Sequence, residues 1–265
     1  MKQFAVIGLG NMGYAMFAGA QQKMGAENFI VYDANPEKVE YVTKQFQVTA
    51  ANNNAECVKD SKFVVLAVKP QYYQDVIDEI KDEITDSQIV ISLAPGITID
   101  NLKERFGKNV RVIRIMPNTS ALILESMTAG CYSKDEFTVE EKQLAREFFE
   151  SFGEFEEVEE AMMSAVVSIS GSSPAYAYMF MEALADGGVK YGLPREKAYK
   201  FAAQALLGSA KMLLDTKEHP GKLKDNVCSP GGTTIAAVAA LEEQGFRNAI
   251  LKAVDACYEK SEGIK

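Results

Sequence analysis

The feature that most constrains the fold is a glycine-rich hexapeptide near the N-terminus. Gly8-Leu9-Gly10-Asn11-Met12-Gly13 follows an apolar run and begins a stretch of helical periodicity. In this context G-x-G-x-x-G is typical of a strand, a tight turn and a helix whose first N–H groups bind the pyrophosphate of a dinucleotide. The alternative is a glycine turn that binds no ligand. The strand before the turn and the helix after it favour the dinucleotide site.

Up to Glu160, short apolar runs alternate with helical patterns, and the runs are rich in Val, Ile and Phe. This alternation predicts an α/β fold with a parallel sheet covered by helices on both faces. The predicted strands are Gln3–Gly8, Phe29–Tyr32, Phe63–Val68, Gln88–Ser92 and Val110–Ile115, with Glu154–Val158 at an edge. The predicted helices are Asn11–Met24, Pro36–Phe46, Gln71–Ile80, Thr98–Arg105 and Val139–Phe152.

After Glu160 the sequence predicts helices only. We therefore expect two domains, a dinucleotide-binding domain at 1–160 and an all-α domain for dimerisation and substrate binding at 161–265. The expected helices run from Ser173-Pro174 to Tyr191, from Pro194 to about Lys217, from Pro230 onward and over Phe246–Glu262, with a loop at Glu218–Ser229.

The helix that begins at Ser173-Pro174 is apolar nearly all the way round, with Tyr176, Tyr178 and Met179 on different sides. A helix of this kind is normally buried on most sides, and a small helical domain offers few sides against which to bury it. A second copy of the chain would cover it, which predicts an interlocked dimer. Packing against the N-terminal domain of the same chain is the alternative.

Composition narrows the class of protein. The chain has 265 residues, a net charge of −9 and 47% apolar residues, which excludes extensive disorder and disfavours nucleic acid as a partner. Its apolar runs are far shorter than the ~20 residues that span a bilayer. Cys57, Cys131, Cys228 and Cys257 are scattered, and with His219 as the single histidine they form no metal-ligand spacing. We expect a cytoplasmic protein with reduced thiols, no metal site and no membrane partner.

Asp33 follows the second predicted strand, about 20 residues after the glycine motif. An acidic residue at this place accepts hydrogen bonds from the adenosine ribose of NAD and repels the 2′-phosphate of NADP. The nearest cation is Lys38, so the sequence favours NADH while leaving NADPH open. The alternative is a capping role, since Asp33 or Asn35 precedes a helix that opens at Pro36.

Four further segments carry a resemblance. They are Ala67-Val68-Lys69-Pro70, Met116-Pro117-Asn118-Thr119, Ser170-Gly171-Ser172-Ser173-Pro174-Ala175-Tyr176 and the stretch from Leu223 to Thr234 that contains Ser-Pro-Gly-Gly-Thr-Thr. With these segments the chain resembles the pyrroline-5-carboxylate reductase family over nearly its whole length. The Ser-Pro-Gly-Gly-Thr-Thr segment is the most specific of them.

The resemblance implies a Rossmann-type domain followed by a helical domain that interlocks with a partner copy, as a homodimer or a ring of dimers up to a decamer. It implies hydride transfer from NADPH or NADH to the C=N bond of Δ1-pyrroline-5-carboxylate, giving L-proline in the last step of proline biosynthesis. With the glycine motif and Asp33, the expected cofactor-binding residues are Ile7, Gly8, Leu9, Gly10, Asn11, Met12, Gly13, Asp33, Asn35, Asn54, Ala67, Val68, Lys69, Pro70, Leu93, Ala94, Pro95 and Asn226.

The expected substrate site combines the resemblance with the residues themselves. The resemblance implies that Glu160, Thr233 and Thr234 contact the substrate. With Pro230 as the first helical residue, the N–H groups of Gly231, Gly232 and Thr233 would bind the substrate carboxylate. The Thr234 hydroxyl would then be the catalytic group, bonding the ring nitrogen and delivering a proton, unless solvent supplies it. The alternative makes Ser229 a helix cap and Thr234 an ordinary residue of the first turn.

Other functions remain open at this point. A related NAD(P)-dependent oxidoreductase would act on another imine or on a β-hydroxy acid, but the latter needs a lysine that the segment 164–176 lacks. A non-catalytic dinucleotide sensor would be expected to have lost the Pro-Gly-Gly-Thr-Thr turn, which is complete here. His219 precedes Pro220 in a predicted loop, which favours a role in shaping that loop over a role as general acid.

Overall fold

In the computed structural model, which describes residues 2–263, the chain divides into two units. One unit runs to Gly171 and also includes the chain from Tyr258 onward, and the other spans Ser172–Cys257. The division lies downstream of the expected boundary at 160, because the first helical turns that follow the last strand still pack on the sheet. Met163, for example, is fully buried in the core of the first unit.

The first unit is built on one eight-stranded sheet with the order β3-β2-β1-β4-β5-β6-β7-β8. The first six strands pair in parallel, as the alternation of strands and helices predicts. β7 runs antiparallel to β6 and parallel to β8, so the sheet is mixed at this edge. The strands are β1 (Lys2–Ile7), β2 (Phe29–Tyr32), β3 (Thr49–Ala50), β4 (Ser61–Leu66), β5 (Ile89–Ser92), β6 (Arg111–Met116), β7 (Ser126–Tyr132) and β8 (Gly153–Glu157).

The sequence did not predict β3 or β7, and composition explains both omissions. β3 has two residues, which is too short for any periodicity. β7 reads Ser-Met-Thr-Ala-Gly-Cys-Tyr and therefore carries no run of large apolar residues. Its Gly130 is needed, because a Cβ there would lie 2.5 Å from the ring of Phe155.

Helices cover both faces of the sheet, which confirms the predicted fold class. On β1, Phe4 and Val6 point into one core and Ala5 and Ile7 into the other. The Phe4 ring stacks at 4.5 Å on Phe148 of one covering helix, and both side chains are fully buried. The helices of this unit are α1 (Asn11–Met24), α2 (Pro36–Phe46), α3 (Asn54–Val58), α4 (Tyr73–Ile80), α5 (Ile99–Phe106), α6 (Val139–Phe149) and α7 (Met163–Val166), followed by a π-helical turn at Val167–Gly171.

The second unit is helical, as predicted, with two local differences. The segment predicted as a loop at Glu218–Ser229 contains a helix, because His219 accepts a hydrogen bond from the N–H of Gly221 and Pro220 starts the helix. The next helix begins at Thr233 rather than at Pro230, because Gly231 between them has a left-handed backbone with φ of 68°. The helices are α8 (Ser173–Lys190), α9 (Arg195–Thr216), α10 (Pro220–Val227), α11 (Thr233–Glu243) and α12 (Phe246–Ser261).

None of the helices within residues 2–263 combines the length and the apolar character needed to cross a bilayer.

Candidate functional site

The three glycines of the N-terminal motif occupy three different environments. Gly8 has φ of 98°, and a Cβ on it would lie 2.7 Å from the carbonyl oxygen of Ala67. A Cβ on Gly13 would lie 2.0 Å from the carbonyl oxygen of Gly8, so this residue allows α1 to pack on the turn. A Cβ on Gly10 would meet no atom within 4 Å. Gly10 therefore presents bare backbone to open space at the N-terminus of α1, where a phosphate group can approach.

A cavity of about 440 Å³ opens beside this turn, at the carboxyl ends of β1, β2 and β4. It lies where the strand order reverses between β1 and β4, the usual ligand position in an open α/β sheet. Eight of the residues expected to bind the cofactor line it. They are Ile7, Gly8, Gly10, Asp33, Asn54, Ala67, Val68 and Lys69.

A second cavity of about 480 Å³ shares Gly10 and the segment from Ala67 to Lys69 with the first. Its other walls come from the start of α1 and from the ends of β5 and β6. A dinucleotide spans two such compartments, with adenosine in one and nicotinamide in the other. The remaining lining residues are Asn11, Met12, Leu93, Pro95, Met116 and Pro117, of which the first four were expected cofactor residues.

Asp33 is bound to the glycine turn as well as lining the first cavity. Its Oδ2 accepts a hydrogen bond from the backbone N–H of Leu9 at 2.6 Å, and its Oδ1 accepts one from Asn35 N–H at 2.8 Å. Lys38 lies 3.4 Å from Oδ2. A carboxylate offers about four acceptor positions, so room remains for a ribose hydroxyl. Asn35 is the residue that caps α2, accepting from the N–H of Glu37 at 2.9 Å.

Asn54 supplies a polar group that fits a ligand in the first cavity. Asn54 is 7% exposed, and its side-chain Nδ2 donates a hydrogen bond to Glu79 Oε2 at 2.8 Å. Its Oδ1 is buried and has no hydrogen-bond donor among the residues described. A buried acceptor without a donor costs about 1–3 kcal/mol. The open space at Gly10 fits the pyrophosphate of a bound dinucleotide.

The walls of the two cavities are held together by a buried phenol. The Tyr73 hydroxyl donates to the carbonyl of Leu66 at 2.8 Å and accepts from the N–H of Leu93 at 3.2 Å. It therefore links the ends of β4 and β5, from which both cavities are built. Burial raises the pKa of Tyr73 above its ordinary value, so the hydroxyl keeps its proton.

Some expected cofactor residues do not line either cavity. Gly13 and Ala94 are buried, Asn35 and Pro70 are exposed outside both cavities, and Leu9 lines a smaller pocket of about 350 Å³ together with Gly10 and Asn11. Several lining residues that the sequence analysis missed lie on one face of α4 or just before it. Asp75, Val76 and Glu79 line the first cavity with Tyr72, at the 3- and 4-residue spacing of a helix face, and that spacing is the signal that would have found them.

Glu160 has partners within the first unit. Its Oε1 accepts hydrogen bonds from the N–H of Ile99, at the start of α5, and from the guanidinium of Arg114 at 3.1 Å. Arg114 is buried on the sheet, and its Nε has no acceptor in the described part of the chain. Burial, with the charge of Glu160 nearby, raises the pKa of the neighbouring Cys131 thiol to about 11. The geometry thus gives Glu160 a structural role, and its expected contact with substrate stays a prediction.

The other expected substrate residues lie in the second unit, at the N-terminus of α11. Gly232 is the residue before the helix, and its own N–H donates to the carbonyl of Ser229 at 3.0 Å. A Cβ on Gly232 would lie 2.6 Å from Ser229 Oγ, so a larger residue there would require the serine side chain to rotate. Because α11 begins at Thr233, the N–H groups of Thr233 and Thr234 belong to its first turn and have no intrahelical acceptor. Asn226 lies on the last turn of α10.

The second unit also exposes large apolar side chains in the single chain. On α8 only Ala185 is buried, while Tyr178 and Met179 are 63% and 69% exposed. On α9, Phe201 and Leu214 are 65% and 74% exposed. Apolar surface of this extent is typical of a protein interface.

Comparisons with known proteins match different families in the two parts of the chain. Residues 160–264 match the family described as pyrroline-5-carboxylate reductase dimerisation, and residues 3–96 match the family described as NADP oxidoreductase, coenzyme F420-dependent. The exposed helices therefore lie in a dimerisation domain, and the chain is a subunit of an oligomer.

Full-length relatives carry the similarity over both units. The pyrroline-5-carboxylate reductase of Escherichia coli (strain K12) is 45% identical, over 99% of this chain and 98% of that one. Among solved structures, a pyrroline-5-carboxylate reductase from Coxiella burnetii matches with a TM-score of 0.92 at 30% identity, over 100% of this chain and 98% of that one. The Plasmodium falciparum pyrroline carboxylate reductase, solved with NADP bound, matches with a TM-score of 0.88 at 32% identity, over 99% and 98% of the two chains. By its sequence and by its fold, the chain belongs to the pyrroline-5-carboxylate reductase family.

Proposed function

We propose that this chain is a pyrroline-5-carboxylate reductase, which reduces the C=N bond of Δ1-pyrroline-5-carboxylate to give L-proline. A hydride adds to the ring carbon of the C=N bond and a proton adds to the ring nitrogen. The observation that carries the proposal is the 45% identity to the E. coli enzyme over 99% of the chain, which includes both the dinucleotide cavities and the turn before α11. The reaction is the last step of proline biosynthesis.

NADH or NADPH supplies the hydride when it is bound. The chain's own groups would hold it. The first N–H groups of α1, at the open space beside Gly10, would bind the pyrophosphate, and Asp33 and Asn54 would lie at the adenosine end. At the other end, Leu93, Pro95 and Met116 would form a largely apolar wall beside the nicotinamide.

We assign substrate binding to the turn from Gly231 to Thr234. The N–H groups of Gly231, Thr233 and Thr234 can donate hydrogen bonds to the substrate carboxylate at the positive end of the α11 dipole, while the N–H of Gly232 already donates to Ser229 inside the turn. The Thr234 hydroxyl is then the group that bonds the ring nitrogen and delivers its proton. Because a protonated imine is already electrophilic, orientation contributes more than a strong acid would. We also assign to Glu160 a contact with the substrate and to Asn226 a contact with the nicotinamide end of the cofactor.

The proposal extends to the assembly. Residues 161–265 serve as the dimerisation and substrate domain and residues 1–160 as the dinucleotide domain. The active form is a homodimer, or a decamer assembled from such dimers, in the cytoplasm. The exposed apolar side chains of α8 and α9 support the dimer, because a second copy of the same helices gives them matching apolar partners.

The test is a pair of parallel assays that follow the oxidation of NADH and of NADPH in the presence of pyrroline-5-carboxylate. Turnover with formation of proline is the expected result. A folded dimer that binds a dinucleotide but oxidises neither with this substrate would overturn the proposal, and would favour another imine, a β-hydroxy acid or a sensor function.

The role of Thr234 is tested separately. Thr234→Ala is expected to lower kcat by about 10²-fold or more, the usual contribution of a positioned proton donor. Thr234→Ser keeps the hydroxyl and is expected to retain most of the activity. Wild-type kcat and KM in Thr234→Ala would mean that solvent supplies the proton.

A further inference from the structure

The parallel strands β4 and β5 end side by side, and the last residues that pair between them are Leu66 and Ser92. The N–H of Ala67 donates to the carbonyl of Ile7 in β1 at 2.8 Å. The carbonyl of Leu66 belongs to the same trans peptide group as that N–H and points the opposite way, toward β5. In a regular parallel ladder, the N–H of Leu93 would donate the next hydrogen bond to this carbonyl.

The hydroxyl of Tyr73 occupies the place of that ladder hydrogen bond. It donates to the carbonyl of Leu66 at 2.8 Å and accepts from the N–H of Leu93 at 3.2 Å. Since its single proton is used at Leu66, it accepts from the hydroxyl of Ser92, which lies at 3.2 Å. An oxygen atom thus stands between two backbone groups that a regular ladder joins directly. The fully buried Tyr73 side chain therefore keeps β4 and β5 apart where they end.

The two segments that the hydroxyl separates form facing walls of the second cavity, of about 480 Å³. Ala67, directly after Leu66, begins one wall, and Leu93 and Pro95 belong to the other. The proposed function places the nicotinamide in this cavity, and hydride transfer depends steeply on the orientation of the reacting groups. We propose that Tyr73 is a positioning residue whose hydroxyl sets the separation of these walls, and with it the fit of the nicotinamide ring. This inference rests on the proposed function.

The adenosine end of the site depends less on this separation. In the described part of the chain, the first cavity takes its walls from the ends of β1, β2 and β4 and from the starts of α3 and α4, and not from the segment that follows β5. Asp33, the residue expected to meet the adenosine ribose, lies at the end of β2. A change in the separation of β4 and β5 should therefore act mainly on the nicotinamide end.

The test compares NADH with ADP-ribose, which is the same molecule without the nicotinamide ring. Their Kd values are determined by isothermal titration calorimetry on the full-length wild type and on Tyr73→Phe. Phenylalanine keeps the ring that packs in the core, so the variant is expected to fold, but Leu66 and Leu93 lose their shared partner. We expect the NADH Kd to rise about tenfold, the usual effect of one lost buried hydrogen bond, and the ADP-ribose Kd to stay within about twofold.

Steady-state kinetics with pyrroline-5-carboxylate provide a second readout. A nicotinamide that is held less well is oriented less well for hydride transfer. In Tyr73→Phe we therefore expect kcat to fall about tenfold or more, while the KM for the imine changes less. A residue that only stabilises the fold would not produce this difference between kcat and KM.

Two control variants separate the bridge from general stability. Ser92→Ala removes one hydrogen bond of the Tyr73 hydroxyl but leaves the link from Leu66 to Leu93, and it is expected to change neither Kd by more than about twofold. Ser151→Ala removes a buried hydroxyl that donates to the carbonyl of Phe148 at 2.6 Å, in the same unit but outside both cavities. It is expected to lower the melting temperature and to leave both Kd values unchanged.

The outcomes are distinct. Weaker NADH binding in Tyr73→Phe alone, with ADP-ribose bound as before, supports the positioning role. An unchanged ratio of the ADP-ribose Kd to the NADH Kd overturns it and leaves the reductase assignment intact, whether both affinities are retained or both fall together. An equal loss of NADH affinity in Ser92→Ala also overturns it, because the bridge is present there. A wild type that binds neither molecule overturns both this inference and the proposed function.

Discussion

The carboxylate of Asp33, at the end of β2, accepts a hydrogen bond at 2.6 Å from the backbone N–H of Leu9, in the middle of the glycine turn. The residue expected to bind the ribose therefore also fixes the turn expected to bind the pyrophosphate. A second acceptor bond from Asn35 holds the same carboxylate to the start of α2. Changes at Asp33 should thus affect both cofactor choice and the order of the turn.

Asp33→Asn is expected to shift cofactor preference toward NADPH. The amide oxygen can still accept from Leu9, but the negative charge near the 2′ position is lost, and Lys38 is released from its ion pair. We expect the ratio of kcat/KM for NADPH to that for NADH to rise about tenfold, one charge–charge interaction in partly screened surroundings. Glu37→Gln removes an equal charge from the first turn of α2 and is the control. The same shift in both variants would argue against a specific role of Asp33.

Gly10 and Gly13 should respond to alanine in opposite ways. In Gly13→Ala the new Cβ would lie 2.0 Å from the carbonyl oxygen of Gly8, so we expect the free energy of unfolding to fall by about 3 kcal/mol or more. In Gly10→Ala the Cβ meets no protein atom within 4 Å, and the backbone φ of −69° suits alanine. That variant should keep its stability within about 1 kcal/mol and bind NADH at least about tenfold more weakly.

Urea denaturation and calorimetric titration separate the two effects. Wild-type dinucleotide affinity in Gly10→Ala would mean that the pyrophosphate does not pass over this residue. Wild-type stability in Gly13→Ala would contradict the close approach of α1 to the turn.

The sequence predicted the parts of the fold whose signal is local. The β1–turn–α1 unit and the five other predicted strands follow from apolar runs and turn residues that lie next to one another in the chain. β7 was missed because its small residues, such as Gly130, fit against Phe155, a contact between distant segments. The start of α11 was placed at Pro230, since nothing local to that proline reveals the left-handed Gly231 that follows.

The same distinction holds for the candidate site. The glycine motif and Asp33 follow a general sequence pattern, and the segment from Ala67 to Lys69 came from a family resemblance. The contribution of α4 depends on tertiary packing, because Glu79 reaches Asn54 across 25 residues of sequence. Helical periodicity predicts which side chains of α4 share a face, but only the packed structure identifies what that face meets.

Glu160 should contribute more to stability than to substrate affinity. Its carboxylate binds the N–H of Ile99 and the buried guanidinium of Arg114. Glu160→Gln keeps an acceptor but removes the charge that compensates Arg114, so we expect a loss of about 1–3 kcal/mol in the free energy of unfolding, allowing for the partial exposure of Glu160. Glu159→Gln, at the neighbouring position, is the control. If the KM for the imine rises strongly in Glu160→Gln while stability is unchanged, the substrate contact implied by the family resemblance is the main role of Glu160.

Stability should fall at alkaline pH, and Cys57 should account for part of the fall. Burial raises the pKa of its thiol from 9.0 to about 12. Between these values the unfolded chain loses the proton and the folded chain keeps it. Since the native state then binds more protons, the free energy of unfolding decreases as pH rises, by up to about 1.4 kcal/mol per pH unit for each such group. Burial raises the pKa of Cys131 to about 11 and that of Tyr132 to about 12, so these groups add to the slope.

The measurement is urea denaturation under reducing conditions at several pH values between about 8.5 and 11, for the wild type and for Cys57→Ala. The variant loses packing contacts and is expected to be less stable at every pH, so the informative quantity is the slope and not the absolute value. The slope should be shallower in Cys57→Ala because one titrating group has been removed. Cys228→Ala, which changes a half-buried thiol in the second unit, is the matched control. Equal slopes in the wild type and Cys57→Ala would mean that the Cys57 thiol ionises as readily in the folded chain as in the unfolded one, and would overturn the prediction made from its complete burial.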